Sequence, residues 1–203
     1  MPVQEGEYCG FETNIEDPGI LVVTFNRPES LNASTAAMKR DLVELLTQTQ
    51  MDDTIRIVVF TGRGQAFWAG DDLKGYGGDS VQVPQIHHGH HNPSGTYNGL
   101  RTISQAVNTA VRNLDKISIA AINGFAIQTG FSLALACDFR IASRSAKLGS
   151  ATLRFGLLPD EGGQWLLVQH LGVAKAMDFM LSLIHISEPT RRTPISYAVF
   201  CLK

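Results

Sequence analysis

Apolar positions along this chain fall into blocks of two periods. Residues 19–25, Gly-Ile-Leu-Val-Val-Thr-Phe, are nearly continuously apolar and predict a buried strand, closed at Asn26-Arg27-Pro28 because proline cannot donate to a ladder. From Ser34, read as an N-cap, Met38, Leu42, Leu45 and Leu46 recur three and four residues apart, with Lys39, Arg40 and Glu44 on the wet side. That pattern predicts an amphipathic helix, ended by Asp52-Asp53. A β-branched run at 55–61 predicts the next strand. Residues 75–99, rich in Gly, Pro, Ser and His, predict a long lid or binding loop. The helical period returns with Ile103, Val107, Val111 and Leu114, before a strand at 117–122. Residues 130–137 are apolar nearly all round and predict a buried helix closed by Asp138. A short strand at 139–142 and helices at 165–170 and 174–180 complete the series. Strand–helix–strand units in succession argue for a layered α/β chain without a visible internal repeat.

Composition narrows the class. A chain of 203 residues, 44% hydrophobic and 18% charged, can bury one substantial core, so one domain is expected. Its net charge of −2 supplies no broad field for nucleic acid or an anionic membrane. The polar, acidic start and the absence of a run near 18 apolar residues favour a cytoplasmic protein. Cys9, Cys137 and Cys201 are odd in number and lack metal-ligand spacing, which fits reduced thiols, Cys137 being a small core residue. His87, His88, His90 and His91 cluster in the predicted loop, where adjacent imidazoles seldom form a preorganised tetrahedron, so no metal is expected.

Two segments carry the chemistry: Ala66-Phe67-Trp68-Ala69-Gly70-Asp71-Asp72-Leu73 and Asn123-Gly124-Phe125-Ala126-Ile127-Gln128-Thr129-Gly130. Each follows a β-branched run and places glycine where the chain must turn sharply and expose its N–H groups. Two such N–H groups aimed at one point would bind a developing oxyanion. With Asn26-Arg27-Pro28, Leu31-Asn32-Ala33, Ala136-Cys137-Asp138 and Gly156-Leu157-Leu158-Pro159-Asp160-Glu161-Gly162-Gly163, in this order, they resemble the enoyl-CoA hydratase/isomerase (crotonase) superfamily over about residues 19–180. The resemblance implies the α/β ClpP/crotonase fold, a spiral of ββα units, and an acyl-CoA substrate whose coenzyme A is not a separate cofactor. It also implies a homotrimer or hexamer when full length, and the small net charge leaves no nucleic-acid or membrane partner expected.

Carried onto matching positions, the oxyanion donors are the backbone N–H groups of Asp71 and Thr129. Leu31, Ala69, Asp71, Asp72, Leu73 and Ile127 fall along the coenzyme A path, and Arg27 and Lys74 stand near enough to serve phosphates. Hydratases of the superfamily use two glutamates, and the matching positions here hold Ser132 and Thr152, neither of which can be a carboxylate base. Asp160 matches an aspartate carried by some isomerases, with Glu161 as the fallback base and Ser132 orienting substrate or water. Double-bond isomerisation is therefore favoured. Hydration, thioester hydrolysis, dehalogenation, decarboxylation and a non-catalytic CoA-ligand-binding role stay open. Each residue also has a plainer reading: Asp160 as a helix cap, Trp68 as corner packing, the more expected of its two roles, instead of an adenine platform, and Ser132 as a quiet helix serine.

Residues 181–191 resemble a translated sequencing adapter and residues 195–203 its flow-cell end. The expected division is an incomplete acyl-CoA-binding core at 1–180, its C-terminal helical part missing, and a non-native tail at 181–203.

Overall fold

The computed structural model describes residues 3–72, 93–150 and 161–181. Six strands form the main sheet: β1 (Gly6–Tyr8), β2 (Phe11–Glu16), β3 (Ile20–Phe25), β4 (Ile57–Gly62), β6 (Ile117–Ile122) and β8 (Phe139–Ala142), hydrogen-bonded in that order. β1 to β3 pair antiparallel, whereas β3, β4, β6 and β8 run parallel. A second sheet stacks three short parallel strands, β5 (Ala66–Trp68), β7 (Phe125–Ile127) and β9 (Lys147–Gly149). Each long parallel strand from β4 onward thus leads into a short one in the second sheet. The helices are α1 (Ala36–Gln50), α2 (Pro93–Gly99), α3 (Gln105–Arg112), α4 (Thr129–Ala136), α5 (Gly163–Leu171) and α6 (Val173–Leu181).

Alternation places Leu21, Val23 and Phe25 of β3, Val58 and Phe60 of β4, and Ala120 and Ile122 of β6 on one buried face. Met38, Leu42, Leu45 and Leu46 of α1 and Val107 and Val111 of α3 join the same core, as their helical spacing requires. Trp68 fills the strand-to-loop corner: it is wholly buried, its ring lies 4.7 Å from that of Phe25, and its Nε1 donates to the Gly70 carbonyl at 3.1 Å. Cys137 is likewise buried, and the loss of solvent pushes its thiol up to about 12.

Several local expectations change. Thr35, not Ser34, caps α1 by accepting from the Met38 N–H at 3.2 Å. Pro93–Gly99 is helical and runs through a π-helical turn, Leu100–Ser104, into α3, so the predicted loop ends earlier than residue 99. The rest of that loop, residues 75–92 with its histidines, lies outside the described residues. Residues 182–203 also lie outside them, and α6 continues one residue past the boundary read at 180.

Beyond α1, Asp52 ties the N-terminal segment down. Its Oδ2 accepts from the Val3 N–H at 2.8 Å, and its Oδ1 accepts from the Thr54 hydroxyl at 2.6 Å and the Thr54 N–H at 3.0 Å. The Thr54 hydroxyl first, then the two backbone donors, hold the carboxyl below its usual 3.8. A depressed carboxylate contributes stability that is present above its unfolded value and lost as pH falls through the lowered one. Asp52→Asn is accordingly expected to flatten the acid limb of a melting-temperature profile below about pH 4, with little change in the slope near neutrality.

Candidate active site

The first loop is held from below by Asn32. This wholly buried residue, at φ 57°, accepts from the Arg27 N–H at 2.8 Å and donates from Nδ2 to the carbonyls of Ala66 at 2.7 Å and Arg63 at 3.0 Å. Asparagine tolerates the left-handed conformation, and its amide bonds carbonyls where the chain turns from β4 into β5. Leu31, beside it, is 40% exposed, and its carbonyl accepts from the Ala69 N–H at 3.1 Å. Ser34 then forms a parallel bridge to Asp71: its N–H donates to the Gly70 carbonyl and its carbonyl accepts from the Asp72 N–H, both at 2.9 Å. In such a bridge the middle residue of the partner segment turns its own N–H to the opposite side. Asp71 is that residue.

The second loop leaves β7 through Gln128, at φ 52°, and enters α4 at Thr129. As first residue of the helix, Thr129 has an N–H without an intrahelical acceptor. The two loops meet at Gly130, where a Cβ would stand 2.1 Å from the Trp68 carbonyl oxygen, so only glycine allows this approach. The Thr129 hydroxyl donates to Asp71 Oδ1 at 3.2 Å. Asp71 and Thr129, distant in sequence, are in direct contact.

A buried cation lies beneath them. Lys39 Nζ is 2.7 Å from Asp71 Oδ1 and 2.9 Å from Glu161 Oε1, and the Lys39 and Glu161 side chains are each 3% exposed. Lys39 also donates to Ser104 Oγ at 3.3 Å. Burial alone would lower the Lys39 pKa, but the Glu161 and Asp71 carboxylates outweigh it and hold the ammonium charged, above its usual value. Burial pushes the Glu161 carboxyl up, against the attraction of Lys39. The Glu161 carbonyl accepts from Asn108 Nδ2 at 2.8 Å, which anchors this loop to α3.

Lys39 is thus a correction, since its charge placed it on the wet face of α1. It lies three residues before Leu42 and seven before Leu46, on the core-facing stripe. The signal was its position, and the carboxylates that make burial tolerable come from distant segments. Arg27 is a second correction. Its Nη2 pairs with Asp72 Oδ2 at 2.9 Å and its Nη1 donates to the Ala33 carbonyl, so it braces the loop instead of standing as a solvated phosphate ligand.

Ala69 and Ile127 are half-buried beside these loops, and Ser132 is buried in α4. Glu161 comes to the site, while Leu73, Lys74, Thr152 and Asp160 lie outside the described residues. Gly162 sits at the N-cap position of α5, with no side-chain cap bond. Among the described residues, no cluster of His, Cys, Asp and Glu could hold a metal, and no helix is long and apolar enough to cross a membrane.

Residues 16–188 match the sequence profile of the enoyl-CoA hydratase/isomerase family. The chain belongs to that family. It is 39% identical over 169 residues to the 1,2-epoxyphenylacetyl-CoA isomerase of Escherichia coli K12, a match that covers 81% of this chain and 60% of that protein. An enoyl-CoA hydratase of Alternaria alternata is 33% identical over 159 residues, covering 78% of this chain and 49% of the relative. The crystal structure of enoyl-CoA hydratase from Bacillus anthracis superposes with a TM-score of 0.74 at 30% identity, covering 86% of this chain and 63% of that one. The fold is therefore the crotonase α/β fold. This chain spans about half to three fifths of the length of these curated relatives.

Proposed function

We propose that this chain forms the acyl-thioester-binding core of an enzyme that moves a double bond along an enoyl-CoA, with the Asp71 and Thr129 N–H groups holding the thioester oxygen and Asp160 acting as base. The contact between Asp71 and Thr129 carries this reading, because it joins the two loops whose amides must converge. One donor of this kind lowers a barrier by roughly 2.7–4 kcal/mol. The N-terminus of α4 adds the positive end of a helix dipole to the same point. An Asp71 carboxylate beside a developing enolate would oppose it by like charge, and the Lys39 ammonium at 2.7 Å offsets that repulsion.

Isomerisation is favoured over hydration because Ser132 and Thr152 fall at the positions matching the two glutamates of hydratases, and neither can be a carboxylate base. Asp160 would take a proton from the carbon next to the double bond, the electron pair would pass into a dienolate, and the proton would return further along the chain. The coenzyme A moiety would follow Leu31, Ala69, Asp71, Asp72, Leu73 and Ile127 as part of the substrate, and a homo-oligomer would complete the acyl pocket.

Replacing Asp160 with Asn tests the base. Turnover of a 3-enoyl-CoA is expected to fall about 100-fold or more, with affinity for a saturated acyl-CoA unchanged. Undiminished hydration of a 2-enoyl-CoA by that variant would show the assignment of base and reaction to be wrong.

A further inference from the structure

Glu161 is built more elaborately than a structural partner of Lys39 needs to be. Its Oε1 accepts from Lys39 Nζ at 2.9 Å, but its Oε2 is buried and has no hydrogen-bond partner among the described residues. The Gln164 Oε1 acceptor is orphaned in the same way. Both residues line a small cavity of about 10 Å³, together with Gln128, Phe131, Ser132 and Met180. A space of that size holds about one water. Two buried acceptors on residues that line one cavity need donors, and a water there or a proton on Oε2 would supply one.

The place of this cavity matters. Ser132, one of its walls, occupies the position at which a hydratase glutamate would project from α4. A Cβ on Gly163 would lie 2.1 Å from Ser132 Oγ, so the turn that carries Glu161 is packed directly against that serine. Glu161, from the turn beside Gly163, brings a carboxyl group to the same cavity that Ser132 lines. Thr129, the second amide donor, also faces Glu161 with its hydroxyl.

We propose that Glu161 is a second proton-transfer residue of this site, working through Oε2 into the cavity beside Ser132. This rests on the isomerase reading above and deepens it. With Oε1 engaged by Lys39 at 2.9 Å, the partnerless Oε2 is the oxygen left to take up and release a proton during turnover. In the reaction, one C–H bond breaks and its proton passes to Asp160, while the electron pair enters the dienolate. A new C–H bond then forms with the proton of Glu161 Oε2. Asp160 ends as the acid and Glu161 as the carboxylate, and water exchanges that proton between them before the next turnover. Because the proton removed is not the one returned, solvent hydrogen enters the product.

The test uses the intact protein with a 3-enoyl-CoA in D2O, comparing Glu161→Gln with Asp160→Asn. Gln keeps the size of the side chain and an acceptor for Lys39, and thermal unfolding together with binding of a saturated acyl-CoA verifies the fold. The expected result is deuterium in the product at each wild-type turnover and a loss of about 100-fold or more in E161Q. Acyl-CoA affinity should stay unchanged. Wild-type turnover in E161Q, or a product retaining the substrate's own hydrogen, overturns the role of Glu161 while a dead D160N variant leaves the isomerase reading standing. Should D160N turn over normally, or the wild-type protein isomerise nothing, that reading fails and this inference with it. A merely structural role for Glu161 would leave the deuterium incorporated per turnover unchanged in E161Q, and that result also overturns the proposal.

Discussion

Lys39→Met is expected to destabilise the protein by about 3–5 kcal/mol, the typical cost of removing one partner from a buried ion pair. Methionine preserves the length of the side chain, its helix propensity and its packing along α1, so the change isolates the ammonium. Without it, among the described residues, Glu161 is left buried with no cation, and Asp71 keeps only hydroxyl donors, Ser34 at 2.8 Å and Thr129 at 3.2 Å. Hydroxyls satisfy lone pairs but do not neutralise charge. Urea unfolding measures the effect as a lower midpoint at unchanged slope. Adding Glu161→Gln to Lys39→Met should recover a large part of the loss, since the double variant no longer leaves a buried carboxyl group facing the lost ammonium. A single variant within about 1 kcal/mol of wild type, the usual value of an exposed pair, would mean that Lys39 is not enclosed between these carboxylates.

Gly130→Ala is expected to cut turnover by about 100- to 1,000-fold, the measured range for losing one oxyanion donor. The added Cβ would sit 2.1 Å from the Trp68 carbonyl oxygen and 2.7 Å from the Trp68 Cβ. Trp68 belongs to β5, pairs with β7 and is wholly buried, so it has nowhere to retreat. The start of α4 must move instead, and Thr129 moves with it, away from Asp71. Gly6→Ala is the control, because a Cβ there meets nothing within 4 Å and the variant should match wild type. Steady-state kinetics separate the outcomes: a kcat loss at constant acyl-CoA affinity identifies a donor used in the transition state. Wild-type kcat in G130A would remove Thr129 from the mechanism.

Much of the architecture was legible in one dimension. The strand at 19–25 and the helical stripe Ile103, Val107 and Val111 are each contiguous and periodic, and the buried positions follow that period. The apolar run ending at Ala136 was recognisable as a helix buried on all sides for the same reason. The second sheet was not. Its strands are three residues long, too short for an alternation to register; β5 and β7 read in the sequence as parts of the two glycine-bearing loops, and β9 went unmarked. The N-cap was missed by one residue, since Ser34 and Thr35 have equivalent capping chemistry and only the bridge to Asp71 decides between them.

The candidate site divides along the same line. Glycine marked the two loops as turns that expose N–H groups, since that needs only local backbone geometry, whereas Asp71 and Thr129 within them were nominated by resemblance to the crotonase superfamily. Bringing the pair together takes the parallel stacking of β5 on β7, which no local pattern encodes. The burial of Lys39 depends on tertiary structure even more strongly. An ammonium is tolerable in the core only where carboxylates converge on it, and one of them is Glu161, 122 residues further along the chain. Short-range periodicity specifies which face of an element is apolar; long-range packing alone specifies which charges meet.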